Sequence, residues 1–223
     1  MNHLIGATLL ASLVILLLGY FLGCLNGSVM VSHFIIKDDV RQHGSGNAGL
    51  TNFYRTFGGP LTFVVILTDV LKAVVAILVG ASLFSGIAVD VAWVPYFTIL
   101  GKYWSALFCL LGHMFPCMFH FKGGKGILSG GTIALMMDWR IALVVWGGFL
   151  ILAIVTRYVS LGSVWAGASF PFISWYCYPY FSIVVLAFII GGLVVWQHRG
   201  NIRRLLHGNE NKFSLHPKRE GKT

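Results

Sequence analysis

The chain has 223 residues, of which 57% are hydrophobic and only 10% are charged. A soluble domain carries about 25% charged residues, so this composition excludes an ordinary water-soluble globular protein. Sixteen Lys and Arg against seven Asp and Glu give a formal net charge of +9. This excess indicates anionic partners, and the apolar composition favours lipid headgroups or phosphorylated small molecules over nucleic acid.

The first apolar run covers the N-terminal 36 residues, which contain no Asp, Glu, Lys or Arg. A membrane-spanning helix needs about 20 apolar residues, so this run is long enough to cross. It lacks the positively charged start of a secretory signal peptide. Lys37 and Arg41 follow it, and the positive-inside rule therefore places the N-terminus outside and the next loop in the cytoplasm.

Six further apolar segments follow, separated by polar or aromatic links, one of which is predicted at 84–99. The segments are 61–83, 100–119, 127–137, 141–156, 162–175 and 180–196. The segment 127–137 is too short to cross alone, so it is predicted to be re-entrant or tilted. With seven spans, all but three of the 16 basic residues fall on the inner side, and the exceptions are Lys72, Lys102 and Arg140.

The fold prediction is therefore an all-α integral membrane protein. We expect a seven-span helical bundle with several short helices, an outside N-terminus and a cytoplasmic C-terminus. Residues 1–223 would form a single domain that ends in a basic cytoplasmic tail at about 199–223. The four cysteines lie in apolar stretches without a C-x-x-C pair, so they are predicted to be small buried hydrophobic residues and not metal ligands.

The first of three polar segments, GSGNAGLTNFYRTFG at 44–58, follows the first apolar run. Its glycines match G-x-G-x-x-G, but no βαβ unit surrounds them, which excludes a dinucleotide site. Ser45, Asn47 and Asn52 offer hydrogen-bond donors, and Arg55 offers a guanidinium fork that suits a phosphate. The segment is predicted either to bind an anion or to be an ordinary polar loop.

The second polar segment, GHMFPCMFHFKGGKGI, occupies 112–127. It is not a P-loop, because Phe119 stands where the first glycine would be and Gly126 follows Lys125. A glycine-rich turn with a lysine at a helix start can still bind phosphate through backbone N–H groups. His113 is either part of such a site or a histidine whose hydrogen bonds are satisfied inside the bundle.

The third polar segment, HRGNIRRLLHGNE, occupies 198–210. His198 and Asn201 are three residues apart and would share one helix face. Its arginines can bind an anion or anchor the chain to lipid headgroups. Within the second apolar segment, Asp69 and Lys72 are also three apart, and a charge inside a membrane is costly unless it is paired. An internal Asp69–Lys72 ion pair is therefore predicted.

Taken together, the three polar segments resemble those of the bacterial acyl-phosphate:glycerol-3-phosphate acyltransferase family. The connecting pieces DVLK at 69–72 and RYVSLGS at 157–163 are also similar to that family, and the resemblance covers about residues 20–210. The chain departs from the usual family pattern at 23–26, 127–129 and Gly162. These departures bear on fine substrate preference more than on the reaction.

The resemblance implies transfer of an acyl chain from acyl phosphate to the 1-hydroxyl of sn-glycerol 3-phosphate. Lysophosphatidic acid and phosphate would be the products, with no acyl-enzyme, no cofactor and no metal. It also implies a bacterial inner-membrane protein whose site faces the cytoplasm, in contact with membrane lipids and without an obligate protein partner.

The same resemblance implies the site residues. His198 would orient or deprotonate the acceptor hydroxyl, although a phosphate oxygen of the donor can take that proton instead, while Ser163 and Asn201 complete the catalytic set. The substrate-binding residues would be Ser45, Asn47, Asn52, Arg55, His113, Gly123, Gly124, Lys125 and Gly126.

Two alternative functions are a transporter for an organic phosphate and a non-catalytic lipid- or partner-binding protein. Polar segments on one face and the lack of an internal repeat argue against the transporter.

Overall fold

The computed structural model describes residues 2–88 and 90–213, with side chains described from residue 5. Within them the chain is helical and contains no β-strand, as predicted. The α-helices are α1 (Asn2–Cys24), α2 (Gly27–Met30), α3 (Leu50–Thr56), α4 (Leu61–Ser85), α5 (Val94–Met114), α6 (Ile127–Met137), α7 (Trp139–Thr156), α8 (Val159–Cys177), α9 (Phe181–Gln197) and α10 (Arg199–Leu206).

Seven apolar helices, α1 and α4–α9, correspond to the seven predicted apolar segments, and their bounds differ most at α1 and α5. Four segments of the described residues are long and apolar enough to cross a membrane, and a fifth qualifies if α9 and α10, which meet at 55°, are counted together. The four are Ile5–Cys24, Leu61–Ser85, Val91–Phe119 and Trp139–Thr156. The protein is an integral membrane protein, and length and composition give four or five spans where seven were predicted.

The first apolar run is not one continuous helix. It breaks at Asn26, whose side chain accepts a hydrogen bond from Val29 N (3.1 Å) and donates one to Ala48 O (3.1 Å). The amide therefore caps α2, which continues as a π-helical turn over Val31–Ile36. The hydrogen bond from Asn26 to Ala48 O places the polar segment 44–58 beside the C-terminal end of α1.

The predicted link at 84–99 is shorter than expected. Helix α4 continues to Ser85 and α5 already begins at Val94, six residues before the predicted start. Pro95 favours this early start, because a proline in the first helical turn gives up no intrahelical hydrogen bond. A short 3₁₀ turn at Val91–Trp93, capped by Asp90, completes the connection.

Helix α5 lies at the centre of the bundle and packs against α1, α4 and α9, whereas α8 packs between α7 and α9. The α4–α5 contact depends on Gly80 and Gly101, because a Cβ atom on either glycine would collide with the carbonyl oxygen of the other. Such glycine pairs let helix backbones approach closely where lipid provides no hydrophobic driving force.

The predicted tail begins with α10, and Phe213 N then donates a hydrogen bond to Arg157 O (2.8 Å). The remainder of that tail, 214–223, lies outside the described residues. All four cysteines are free thiols; Cys24 and Cys109 are buried as predicted, whereas Cys117 and Cys177 are only half-buried.

Candidate active site

The three polar segments meet at one cavity of about 300 Å³. Its wall combines residues from 45–55, the start of α6, the first turns of α8 and the α9–α10 junction. Ten of the predicted site residues line it: Ser45, Asn47, Asn52, Arg55, His113, Lys125, Gly126, Ser163, His198 and Asn201. The convergence of the three segments, which the sequence could only propose, is a feature of the fold.

Gly123 and Gly124 do not line this cavity, and their N–H groups are not available to a phosphate. Gly123 N donates to Met114 O and Gly124 N donates to His113 O, each at 3.1 Å. These bonds hold the 123–126 turn against the end of α5. In this structure the two N–H groups are engaged within the protein, and both glycines are required by close packing on His113.

The free N–H groups belong instead to the first turn of α6. Gly126 precedes that helix with a φ of +78°, a left-handed conformation that favours glycine. Gly126, Ile127 and Leu128 all line the cavity. Because the first N–H groups of a helix have no intrahelical partner, this helix start offers donors and a positive dipole end to an anion.

A chain of hydrogen bonds organises the other side of the cavity. Lys125 Nζ donates to Asn201 Oδ1 in a short contact. Asn201 Nδ2 donates to Glu210 Oε1 (2.7 Å), and Arg204 Nε donates to Glu210 Oε2 (2.7 Å). Among the described residues Lys125 therefore has no carboxylate as a direct partner, and its charge remains available to a ligand.

The ionisation states of Lys125 and Glu210 follow from their surroundings. Burial and the nearby positive charges of Arg204 and Arg199 lower the pKa of Lys125 to about 8, although Glu210 partly opposes this. Burial would raise the pKa of Glu210, but hydrogen bonds from Asn201 and Arg204 outweigh it and the pKa is lowered. Glu210 is therefore a carboxylate at neutral pH.

Arg55 supplies a second positive charge to the cavity. It forms no ion pair with any acidic group of the described residues. A partly buried arginine without a carboxylate partner is well suited to a bidentate contact with phosphate. Arg55 and Lys125 together make the cavity an anion site.

His198 lies at the junction of α9 and α10 and is 3% exposed. It is the N-cap residue of α10, without a side-chain capping bond, and both His198 and Asn201 line the cavity. Its Nδ1 contacts Val194 O at 2.8 Å. A carbonyl oxygen only accepts, so Nδ1 carries the hydrogen and Nε2 of the neutral ring is left with the lone pair.

Two predicted site residues use their polar atoms mainly to hold the structure. Asn52 Nδ2 donates to Val40 O and His43 O (3.0 Å each), and its Oδ1 accepts from Ser45 N (3.0 Å). Ser163 Oγ donates to Val159 O (2.9 Å) within α8. Asn52 therefore fixes the shape of the 40–45 loop, and Ser163 can offer only acceptor capacity to a ligand.

Glu210 and Ser160 have no predicted role, and for Arg204 the sequence left open whether it binds an anion or anchors the chain to lipid headgroups. The signal for Glu210 was its isolation, since it is the one acidic residue in 198–210. Ser160 lines the cavity and is 7% exposed, and its hydroxyl is one of the groups that lower the pKa of the Glu210 carboxyl. No pattern in the sequence separated Ser160 from the other serines.

An apolar cleft continues from the polar cavity between α6, α7, α8 and α9. Gly126, Ile127, Trp146 and Phe149 line both spaces. Beyond these four residues the cleft has an aliphatic and aromatic wall that includes Phe170 and Val194. The arrangement suits an anionic head in the cavity with a hydrocarbon chain directed into the apolar cleft, whose free volume of about 30 Å³ such a chain would have to enlarge.

The pKa of Lys125 predicts a pH-dependent anion affinity. Above about pH 8 the ammonium of the free protein loses its proton, and the affinity should fall by about tenfold between pH 7 and pH 9 because only the charged fraction binds. Sulfate titrated calorimetrically is the suitable probe, since its own charge is constant over this range.

Lys125→Arg is the matched control, because guanidinium keeps its charge at pH 9 and should give a nearly constant sulfate affinity. An equal slope in the wild type and in this variant would show that Lys125 is not the titrating group.

Comparison with known proteins agrees with this geometry. A family model described as "Glycerol-3-phosphate acyltransferase" matches residues 13–208. Relatives of that name include one from Thermoanaerobacter pseudethanolicus, 32% identical over 88% of this chain and 93% of its own length. Another, from Fusobacterium nucleatum, is 34% identical over 90% of this chain and 97% of its own length.

The fold is also similar to crystal structures of PlsY, an integral membrane glycerol 3-phosphate acyltransferase. The glycerol 3-phosphate form is 30% identical, with a TM-score of 0.76 over 91% of this chain and 96% of that one. The lysophosphatidic acid form gives a TM-score of 0.73 at 30% identity over 91% and 95%. The chain is an integral membrane acyltransferase that belongs to the glycerol-3-phosphate acyltransferase family.

Proposed function

We propose that this protein transfers an acyl chain from acyl phosphate to the 1-hydroxyl of sn-glycerol 3-phosphate. The observation that carries the proposal is the junction of two spaces, an anion cavity with Arg55 and Lys125 and an apolar cleft that shares its Trp146 and Phe149 walls. The cavity suits the phosphate groups and the cleft suits the acyl chain, so the carbonyl would lie where the two spaces meet.

In this proposal Arg55, Lys125 and Asn201 hold the phosphate of glycerol 3-phosphate. The first turn of α6, with Ser45 and Asn47 opposite, faces the acyl phosphate. Both substrates are anions that repel each other in water, so catalysis consists largely of holding them together and stabilising the developing charge.

The acceptor oxygen forms a bond to the carbonyl carbon, and the bond from that carbon to the phosphate oxygen breaks. Inorganic phosphate leaves and the hydroxyl proton must be accepted. We assign it to Nε2 of His198, because Nδ1 is already held by Val194 O. A phosphate oxygen of the donor is the alternative acceptor.

Direct transfer without an acyl-enzyme is part of the proposal. An acyl phosphate is an activated mixed anhydride and needs no further activation by an enzyme nucleophile. In the described residues no serine is hydrogen-bonded to the His198 ring, and Ser163 donates its hydroxyl proton to Val159 O. These features do not resemble an activated serine nucleophile.

The donor is tested with purified protein, palmitoyl phosphate and glycerol 3-phosphate, following inorganic phosphate release and the lipid product. Release that requires the acceptor and yields lysophosphatidic acid is expected, with palmitoyl-CoA inactive in a parallel reaction. Activity with palmitoyl-CoA alone would overturn the proposed donor. Inactivity with both donors in folded protein would favour organic-phosphate transport, which uptake into sealed vesicles would test.

Two variants assign roles in the same assay. Arg55→Ala should raise the KM for glycerol 3-phosphate by about 10- to 150-fold, the usual cost of losing a hydrogen bond to a charged group.

His198→Ala should lower kcat and leave the KM for glycerol 3-phosphate nearly unchanged. Near wild-type turnover of His198→Ala would assign the proton to the donor phosphate instead.

The acyl-chain site makes a separate prediction at Gly130. A Cβ atom there would approach only Leu110 Cδ2, at 4.0 Å, so a larger side chain would project into the cleft without a backbone clash. Gly130→Leu should reduce kcat/KM for palmitoyl phosphate by roughly 5- to 150-fold, the range expected for overpacking. Octanoyl phosphate should be affected less.

Gly192→Leu is the matched control, because a Cβ at this exposed position of α9 meets no atom within 4 Å. It should leave both donors unaffected. If the ratio of kcat/KM for palmitoyl phosphate to that for octanoyl phosphate is the same in both variants and the wild type, the acyl chain lies elsewhere.

The membrane arrangement is also proposed, with seven crossings, the N-terminus outside and the site facing the cytoplasm of a bacterial inner membrane. The distribution of Lys and Arg supports it. In a variant without the native cysteines, an impermeant thiol reagent should label Val91→Cys in intact cells. It should label Lys212→Cys only after permeabilisation. The reverse labelling pattern would show that the protein has the opposite orientation in the membrane.

A further inference from the structure

Asp69 lines the anion cavity and forms an ion pair with Lys72, which is not part of the cavity wall. Asp69 and Lys72 are 1% and 3% exposed as whole residues, and Lys72 Nζ lies 2.7 Å from Asp69 Oδ1, which confirms the ion pair predicted from their spacing. Lys72 also donates to Leu25 O (2.9 Å) and more weakly to Gly23 O (3.3 Å). Asp69 in turn accepts from Gly27 N (3.3 Å).

Lys72 makes one further contact, to Nδ1 of His113 at 2.7 Å. A lysine ammonium has three hydrogens and no lone pair, so in this contact it can only donate. Nδ1 of His113 is therefore the acceptor, and the ring hydrogen must reside on Nε2. The contact thus selects one of the two tautomers of a neutral imidazole.

Nε2 of His113 has no hydrogen-bond partner among the described residues. The residue is 3% exposed, yet it lines the anion cavity. Its Nε2 faces Gly124, where a Cβ atom would collide with it. Gly124 has no side chain to cover this nitrogen, so the Nε2–H can meet an acceptor of a ligand in the cavity that His113 lines.

We infer that the Asp69–Lys72 pair holds His113 as a neutral imidazole whose Nε2–H donates a hydrogen bond to a phosphate oxygen of a bound substrate. His113 touches the substrate, whereas Asp69 and Lys72 are positioning residues. The identity of the phosphate compound rests on the proposed function, but the orientation of the donor does not.

Both charges of the pair are needed for this arrangement. Without Asp69, the ammonium of Lys72 would be buried uncompensated. Without Lys72, the nearest charged group to His113 Nδ1 would be Asp69, whose Oδ1 is 3.7 Å away. A proton on Nδ1 would then be favoured, and the neutral ring would offer a lone pair, not a hydrogen, to the phosphate. The pair therefore determines whether Nε2 of His113 donates or accepts a hydrogen bond.

The ring nitrogens of histidine can be observed directly. In protein labelled with ¹⁵N-histidine in detergent micelles, the His113 signals are assigned by their loss in His113→Gln. We expect an unprotonated Nδ1 and a protonated Nε2 before any ligand is added. A protonated Nδ1 in the wild type would overturn the inference without use of any further variant.

Ligand addition then tests the donor. Glycerol 3-phosphate and inorganic phosphate, added separately, should shift the Nε2–H signal if the group binds the acceptor phosphate or the leaving phosphate, respectively. Both titrations remain informative if the protein does not use acyl phosphate. An Nε2–H signal that neither phosphate nor palmitoyl phosphate perturbs would contradict the inference.

Kinetics separate this role from packing. His113→Gln retains an amide N–H near the Nε2 position, whereas His113→Met fills similar space without a donor. We expect His113→Met to lose about 10- to 150-fold in kcat/KM, as for other hydrogen bonds to charged groups, and His113→Gln to recover most of the loss. Equal losses at equal thermal stability would indicate a packing role only.

The positioning residues are tested through the same signal. Lys72→Met should move the His113 proton to Nδ1. If that variant does not fold, Asp69→Asn combined with Lys72→Met removes both charges and should also abolish the preference for the Nε2–H tautomer. An unchanged tautomer in the folded variant would show that the pair does not position His113.

Discussion

The buried Asp69–Lys72 pair is the constraint on which the arrangement of the helices depends. Charges in apolar surroundings are tolerated only when they are paired and hydrogen-bonded. Helix α4 supplies both charges, the α1–α2 junction supplies their backbone partners, and Ser129 Oγ of α6 donates to Asp69 O (3.1 Å). Because these bonds require short distances, they fix the depth of four elements relative to one another, and Asp69 itself lines the cavity.

The short helix α6 explains how a polar and an apolar space come to share a wall. Eleven residues at 1.5 Å per residue give a length of about 16 Å, roughly half of the 30 Å hydrocarbon thickness. One end of α6 therefore lies at the polar cavity, while Gly130 and Ile133 in its body line the apolar cleft. A helix of full spanning length would separate the anion site from the hydrocarbon region.

Most of the fold could be predicted from the sequence, because charge-free runs have few alternatives to apolar helices in a membrane. The Asp69–Lys72 contact was also predictable, since residues three apart in a helix are neighbours. The break at Asn26 and the use of the Gly123 and Gly124 N–H groups were not. Each depends on a partner far away in sequence, and a single sequence does not show which partner a polar group chooses.

Glu210 illustrates the same limit and explains how the cavity stays positive. A carboxylate placed directly against Lys125 would neutralise the charge that an anion needs. Here Asn201 lies between them, accepting from Lys125 and donating to Glu210, while Glu210 pairs with Arg204. Glu210 therefore compensates the charge of Arg204 and orients the Asn201 amide, while the Lys125 ammonium stays available to a ligand. Repulsion among the cations is reduced while the positive potential at the cavity is kept, which is the combination that binding of two phosphate groups requires.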